Sequence, residues 1–499
     1  MIEKALLFGG WPGLVLLALG NAAGLARWGY LVVVGRHKDA FLIQIALFPF
    51  TFYTARAFGI SAFTTPDGEF DQRLGLTTAL LFAILIAVIA GGEFSRSRGT
   101  ANGVIEALLW VFSIGISASQ FLTHSKFAAV LLSIGAGWQW LALYYVMTSL
   151  VRNQNDVMSV LNAVFVMSLL NVVVRVVAKG ESLIINPASQ LAGQYEGAGT
   201  FGAEAGRVGS GALGPAVSYA GYLAMLITLA LAMAWITRKA IYTVYAGAMA
   251  IELLNTFTRG GIYVMVLLAI LLAFRATRMR LGRSLLIGFA LGLPLISLVS
   301  SYLAVRGVTA NPAQISNFTN RLELLRLFFA DYYRPTISGT GILKDTVIAL
   351  SPWFAAPVHS AYVEILDTCG PLPFVTFTLL SFSVLWISWR AYRRAGRRTL
   401  RARMWSGRVL LPCFIVALTQ WMVFANTSGT SVLAYYPYEG TAIFWIVSFL
   451  ALTTARSAVR LRRPRTTSSY EVNIAGKAEN GSRLAGRPIR LPAHPVVSN

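Results

Sequence analysis

The sequence predicts an all-α fold: a polytopic integral membrane protein of roughly 12–13 transmembrane helices with one long extracytoplasmic loop. Three observations carry this. First, the 499 residues are 56% hydrophobic and 12% charged, with a mean hydropathy of +0.63. A soluble core of this length saturates well before that point. Second, apolar runs of roughly 17–25 residues, the length a helix needs to cross hydrocarbon, recur along most of the chain. Alternating segments of about 10 residues, the sign of an outer-membrane barrel, are absent. Third, arginines collect between the apolar runs. One group is Arg275, Arg278, Arg280 and Arg283; a second runs from Arg390 to Arg408; a third comprises Arg456, Arg460, Arg462, Arg463 and Arg465. Lysine and arginine gather in cytoplasmic loops, so these groups fix the topology.

Counting outward from them places spans at approximately 5–24, 40–58, 76–92, 104–122, 128–150, 157–178, 214–236, 240–256, 260–274, 284–304, 362–389, 409–426 and 441–455. The N-terminus is then external. The stretch "GNAAGLARWGYLVVVGRHK" is ambiguous, and the count falls by one if the first segment is re-entrant or interfacial. The chain divides into N-terminal transmembrane helices (1–250), a transmembrane pair opening with the turn "TRGG" (251–304) and an extracytoplasmic loop (305–358). C-terminal transmembrane helices with basic cytoplasmic loops follow (359–465), then a polar cytoplasmic tail expected to be disordered (466–499).

The net charge of +22 would suggest nucleic acid in a soluble protein. Here the inter-span arginines account for it, and no nucleic-acid partner is expected. The two cysteines, Cys369 and Cys413, lie in or beside spans with no CxxC or Cys/His cluster. Neither a zinc site nor a disulfide framework is expected.

Arginines on the opposite side stand out against this background. Loop 305–358 carries Arg306, Arg321, Arg326, Arg334 and Lys344 against Glu323, Asp331 and Asp345. Arg56, Arg175 and Arg259 close the outer ends of spans. Each is explicable alone as a solvated or snorkelling residue. Together they describe an outward pocket for anions, since the guanidinium fork matches phosphate oxygens. Within the loop, "NRLELLRLFFADYYRP" places Asn320 at a helix N-cap and Glu323 at the third position. Leu322, Leu325 and Phe329 would share one face. "SGTG" at 338–341 is a flexible turn whose backbone amides could approach an anion.

His359, in "PVHSAYVEILDTCG", closes that loop and opens the next span. If the helix starts at Pro357, His359, Tyr362 and Val363 share a face, and Glu364 lies one or two turns below the surface. Histidine is the commonest general base. The plainer alternative is an interfacial histidine bonding water and a carbonyl.

"HSAYVEILDTCG" resembles the pattern His-Asn-x-Tyr-Leu-Glu-Leu-Leu-x-Glu-x-Gly of the O-antigen ligase and polymerase superfamily. "TRGGIYVMVLLAILLAF" resembles that family's Ser-Arg-Gly segment, and "NRLELLRLFFADYYRPTISGTG" its Arg-Leu … Pro-x-x-Gly-x-Gly element. Order and spacing agree over roughly residues 250–375. Thr258, Ser360 and Thr368 depart from the pattern, the last at its second acidic position beside Asp367. The resemblance implies a GT-C-like, metal-independent glycosyltransferase in the bacterial plasma membrane, needing no cofactor. Its donor would be a glycan on undecaprenyl diphosphate, and its acceptor another lipid-linked glycan or lipid A core. Arg259, with Arg306, Arg321 and Arg326, would hold the diphosphate. His359 would activate or position the acceptor hydroxyl, supported by Glu364, with Arg56, Arg175 and Arg334 in the wider pocket. The competing class is a transporter or flippase of an anionic or lipid-linked substrate.

Overall fold

The computed structural model describes residues 11–49, 63–64, 71–72, 76–94, 102–173, 216–255, 323–333, 336–342, 347–351, 354–357, 360–395, 405–428 and 439–460. These are almost entirely helical. α1 (Trp11–Val33) and α2 (His37–Ala46) are followed by a minimal ladder, β1 (Phe63–Thr64) with β2 (Asp71–Gln72). Then come α3 (Leu76–Ala90), α4 (Gly103–Thr123), α5 (Lys126–Leu150), α6 (Gln154–Val173), α7 (Ala216–Thr237) and α8 (Ala240–Asn255). A short helix α9 (residues 323–332) leads to a second ladder, β3 (Val347–Ser351) with β4 (Phe354–Pro357). α10 (Ala361–Cys369), α11 (Pro371–Ala395), α12 (Trp405–Ser428) and α13 (Glu439–Arg460) complete the described chain.

Among the described residues, five helices are long and apolar enough to cross a membrane: Gly103–Thr123, Lys126–Leu150, Gln154–Val173, Ala220–Thr237 and Pro371–Arg394. The apolar runs at 260–274 and 284–304 lie outside the described residues. Helices are the expected outcome for such runs, because only a helix satisfies its own backbone groups in lipid.

Three expected elements change shape. α1 continues to Val33 and stops at Gly35, where φ is +73°, so the ambiguous N-terminal stretch is helical. α5 contains a π-helical turn at Ile134–Trp138, where Gly137 comes within van der Waals reach of the Ser113 backbone. The single span expected at 362–389 is two helices broken at Gly370, whose φ of +84° no α-helix accommodates.

α11, α12 and α13 pack on one another, α7 lies on α12, and α4 lies on α11. α4 and α11 are antiparallel: Gly115 abuts Leu372 and Pro373, and the rings of Phe112 and Phe377 lie 5.9 Å apart. Aromatic packing fills the centre, with Trp421 stacked on Phe444 at 3.8 Å and Trp140 on Trp445 at 5.6 Å.

Basic residues mark one end of the bundle. Arg390, Arg393 and Arg394 follow the exposed Trp386 and Trp389 on α11. Tyr144, near the C-terminal end of α5, receives Asn102 N–H at 3.0 Å. At the start of α6 Lys38 Nζ reaches Asp156 Oδ1 at 3.0 Å, and Asp156 Oδ2 caps the helix by accepting from Arg152 and Asn153 N–H. The membrane-facing stripe of α11 is Leu372, Val375, Leu379, Phe382, Trp386 and Trp389. At ~1.5 Å per residue, Leu372 to Trp389 spans about 25 Å. A hydrocarbon layer of ~30 Å that ends at this tryptophan–arginine belt therefore begins near Gly370. From Gly370, α10 lies back along α11: the rings of Tyr362 and Phe377 are 5.2 Å apart.

Candidate functional site

The candidate site is at the end of the bundle away from Arg390–Arg394, around α10. α10 begins at Ala361 because Ser360 caps it: the Ser360 hydroxyl accepts from Val363 N–H at 3.4 Å, and its carbonyl accepts from Glu364 N–H at 2.8 Å. The expected helix start at Pro357 is thereby corrected. Pro357 ends β4 opposite Val347, an end position that suits a residue without an N–H. Glu364 follows Tyr362, whose ring lies 5.2 Å from that of Phe377, seven residues beyond Gly370 on α11. Its side chain is half-buried.

α9 packs on the first turn of α10. Leu324 and Phe328 are buried, with Leu327, Tyr333 and Val363 against them. The expected apolar face of Leu322, Leu325 and Phe329 is displaced by one residue, because the i, i+4 pair 324/328 turns toward Val363. Phe329 is left exposed at 49%, and Leu322 lies outside the described residues. α9 closes in a π turn at Phe328–Tyr332. Arg326 is on the outer side, where its guanidinium donates to both Glu323 oxygens at 2.7–3.1 Å. That bond holds the Glu323 carboxyl below the usual range and raises Arg326. The pair therefore persists above the ordinary glutamate pKa and opens as pH falls through the lowered one. Both groups face solvent, so its weight in stability is small.

The glycine turn is a clip. Thr340 N–H donates to Asp367 O at 2.7 Å, and Gly341 N–H to Thr368 O at 2.9 Å. Gly339, at φ +70°, lies so close to α10 that a Cβ there would stand 2.6–2.7 Å from backbone atoms of Asp367, Thr368 and Cys369. The expectation that this turn offers amides to an anion is corrected. Three consecutive amides, from Thr340 to Ile342, are engaged within the protein.

α4 supplies the other jaw. Gln120, fully buried, accepts from Ile342 N–H at 3.0 Å, donates to Ser119 Oγ at 3.0 Å and approaches Cys369 Sγ at 3.8 Å. Ser119 Oγ donates to Ser338 O at 2.5 Å. At the tip of α4, His124 Nε2 lies 2.6 Å from where a Cβ on Gly341 would be. His124 thus stands beside the turn where Gly341 meets Thr368. Ser119, Gln120 and His124 were not singled out from sequence, since single polar residues in an apolar run carry no local signal.

Gln120→Leu would leave Ile342 N–H buried without an acceptor, a loss of about 1–3 kcal/mol. We expect a lowered melting temperature together with faster hydrogen exchange confined to residues 338–342. Unchanged exchange there would show that the clip does not depend on Gln120.

Of the residues expected to form the site, the structure brings Glu364 and the α9 segment bearing Arg326 onto one element, α10. His359, Arg259, Arg306, Arg321, Arg56, Arg175 and Arg334 lie outside the described residues. Elsewhere, a cavity of about 80 Å³ lined by Gln44, Thr78, Gln139 and Trp140 among apolar side chains lies inside the bundle. It is far smaller than the ~300–1,000 Å³ of ordinary ligand pockets. The bundle also buries a carboxylate within an apolar helix: Glu252, near the end of α8, is 1% exposed. No family model matches the chain, and no curated protein matches it.

Proposed function

We propose that this protein is a metal-independent glycosyltransferase of bacterial surface-polysaccharide assembly. It transfers or polymerises a glycan from undecaprenyl diphosphate at the outer face of the plasma membrane, in a GT-C-like fold. One observation carries the reading. Two segments separated in sequence, the arginine-bearing α9 and the 338–341 turn, both dock on the helix that follows His359.

In this reading the acceptor hydroxyl attacks the anomeric carbon of the donor glycan. Its proton passes to His359, with Glu364 in support, as the new glycosidic bond forms and the bond to the diphosphate oxygen breaks. Arg259, with Arg306, Arg321 and Arg326, stabilises the charge that builds on the departing undecaprenyl diphosphate. Electrostatic stabilisation of this kind is usually the largest catalytic contribution. Arg326 would exchange Glu323 for phosphate oxygens, a substitution its exposed position allows. Polymerisation onto a lipid-linked glycan is favoured slightly over ligation to lipid A core.

The alternative is a transporter or flippase, and Glu252 is the observation behind it. A carboxylate buried within an apolar helix is costly and marks a functional path in many transporters.

The test is to incubate purified protein with an undecaprenyl-diphosphate-linked oligosaccharide, without metal, and resolve the products by mass. Free undecaprenyl diphosphate with a ladder of lengthened lipid-linked glycans establishes the polymerase. Turnover only on adding lipid A core establishes a ligase. Intact donor with every acceptor rejects the enzyme reading in favour of transport.

A further inference from the structure

Ile337 is 86% exposed, although the backbone that follows it is held in place. Its carbonyl oxygen packs directly over Gly370. One residue on, the Ser338 carbonyl accepts from Ser119 Oγ, and the clip bonds of Thr340 and Gly341 follow. Ile337 is therefore fixed at the height of the α10–α11 break. The exposed stripe of α11 starts two residues below that break, at Leu372, and continues through Val375 and Leu379. The chain neighbours of Ile337, Thr336 and Thr340, are exposed hydroxyl residues, which suit a headgroup layer.

We propose that Ile337 inserts into the bilayer at its acyl–headgroup boundary and anchors the clip segment 336–342 to the lipid surface. The occupant is the lipid of the membrane that α11 itself crosses. An exposed aliphatic side chain held near the start of a lipid-facing stripe gains by entering that phase. The clip then has three fixed points: α4 through Ser119 and Gln120, α10 through its backbone, and the membrane through Ile337. The proposal does not depend on any catalytic activity.

The experiment is site-directed spin labelling of Ile337→Cys in the full chain, in nanodiscs of phosphatidylethanolamine and phosphatidylglycerol. Cys369 and Cys413 are both buried, so the introduced thiol is the one that labels. Collision with oxygen, which partitions into acyl chains, is compared with collision with a water-soluble nickel chelate. The expected result is oxygen contact exceeding nickel contact, matching a label at Leu372→Cys, while a label at Arg326→Cys shows the reverse. A water-like label at position 337 overturns the proposal. So does spin–spin broadening that disappears on dilution with unlabelled protein, since a second copy of the chain would then cover Ile337 instead of lipid.

Discussion

Replacing His359 by alanine lowers glycan transfer by roughly 10²–10⁴-fold, the range a positioned general base supplies, while the protein remains folded and membrane-inserted. This corresponds to about 2.7–5.5 kcal/mol of transition-state stabilisation. The two parts of the expectation are separable because of where the residue stands in the chain. His359 follows Pro357, the last residue of β4, and precedes Ser360, the cap of α10. Ser360 caps α10 with its own hydroxyl and carbonyl, so the start of the helix is held without the histidine side chain. Turnover under single-turnover conditions, read beside the melting temperature, checks the result. Wild-type turnover would remove His359 from the mechanism, and a collapsed melting temperature would assign it to folding.

Gly339→Ala detaches the clip. Two costs add. A non-glycine residue at a left-handed φ pays roughly 1–2 kcal/mol, and the new Cβ meets only backbone atoms of α10, which have no side-chain freedom to yield. The turn must lift, and the bonds from Thr340 to Asp367, Gly341 to Thr368 and Ser119 to Ser338 go with it. Gly35→Ala is the control: its φ is +73° but a Cβ there meets nothing within 4 Å, so it carries the conformational cost alone. Hydrogen exchange over residues 336–342 should rise sharply in Gly339→Ala and stay unchanged in Gly35→Ala. Equal, small effects of the two substitutions would mean that the close approach to α10 does not matter.

Much of the helical layout was legible in the residues. α3, α4, α7 and α8 begin and end within about two residues of the runs read from hydropathy, the boundary error expected of such readings. α12 is longer at both ends than its run, and α13 ends five residues beyond it. The ion pair of Arg326 with Glu323 was not legible there, since Arg326 was expected to meet an anion and Glu323 to support a helix cap. Nor was the face of α9: its apolar stripe is ambiguous by one residue, and packing on Val363 decided it. The cap at Ser360 is local chemistry that the sequence contains, but a proline two residues earlier pointed to a different start. Tertiary pairing of 347–351 with 354–357 settled that competition by making Pro357 a strand end.

By itself the sequence determined that this chain is a helical membrane protein, and where most of the described helices run. Lipid offers backbone groups no partner, so a long apolar run has one stable conformation whatever its neighbours do. Tertiary structure alone decided what the polar residues are for. Gln120 and Ser119 find their partners more than 200 positions away, at Ile342 and Ser338. The amides of the glycine turn could equally have faced an anion or a carbonyl. Which they face depends on how closely α10 and α4 approach, and that distance is set by side chains throughout the bundle.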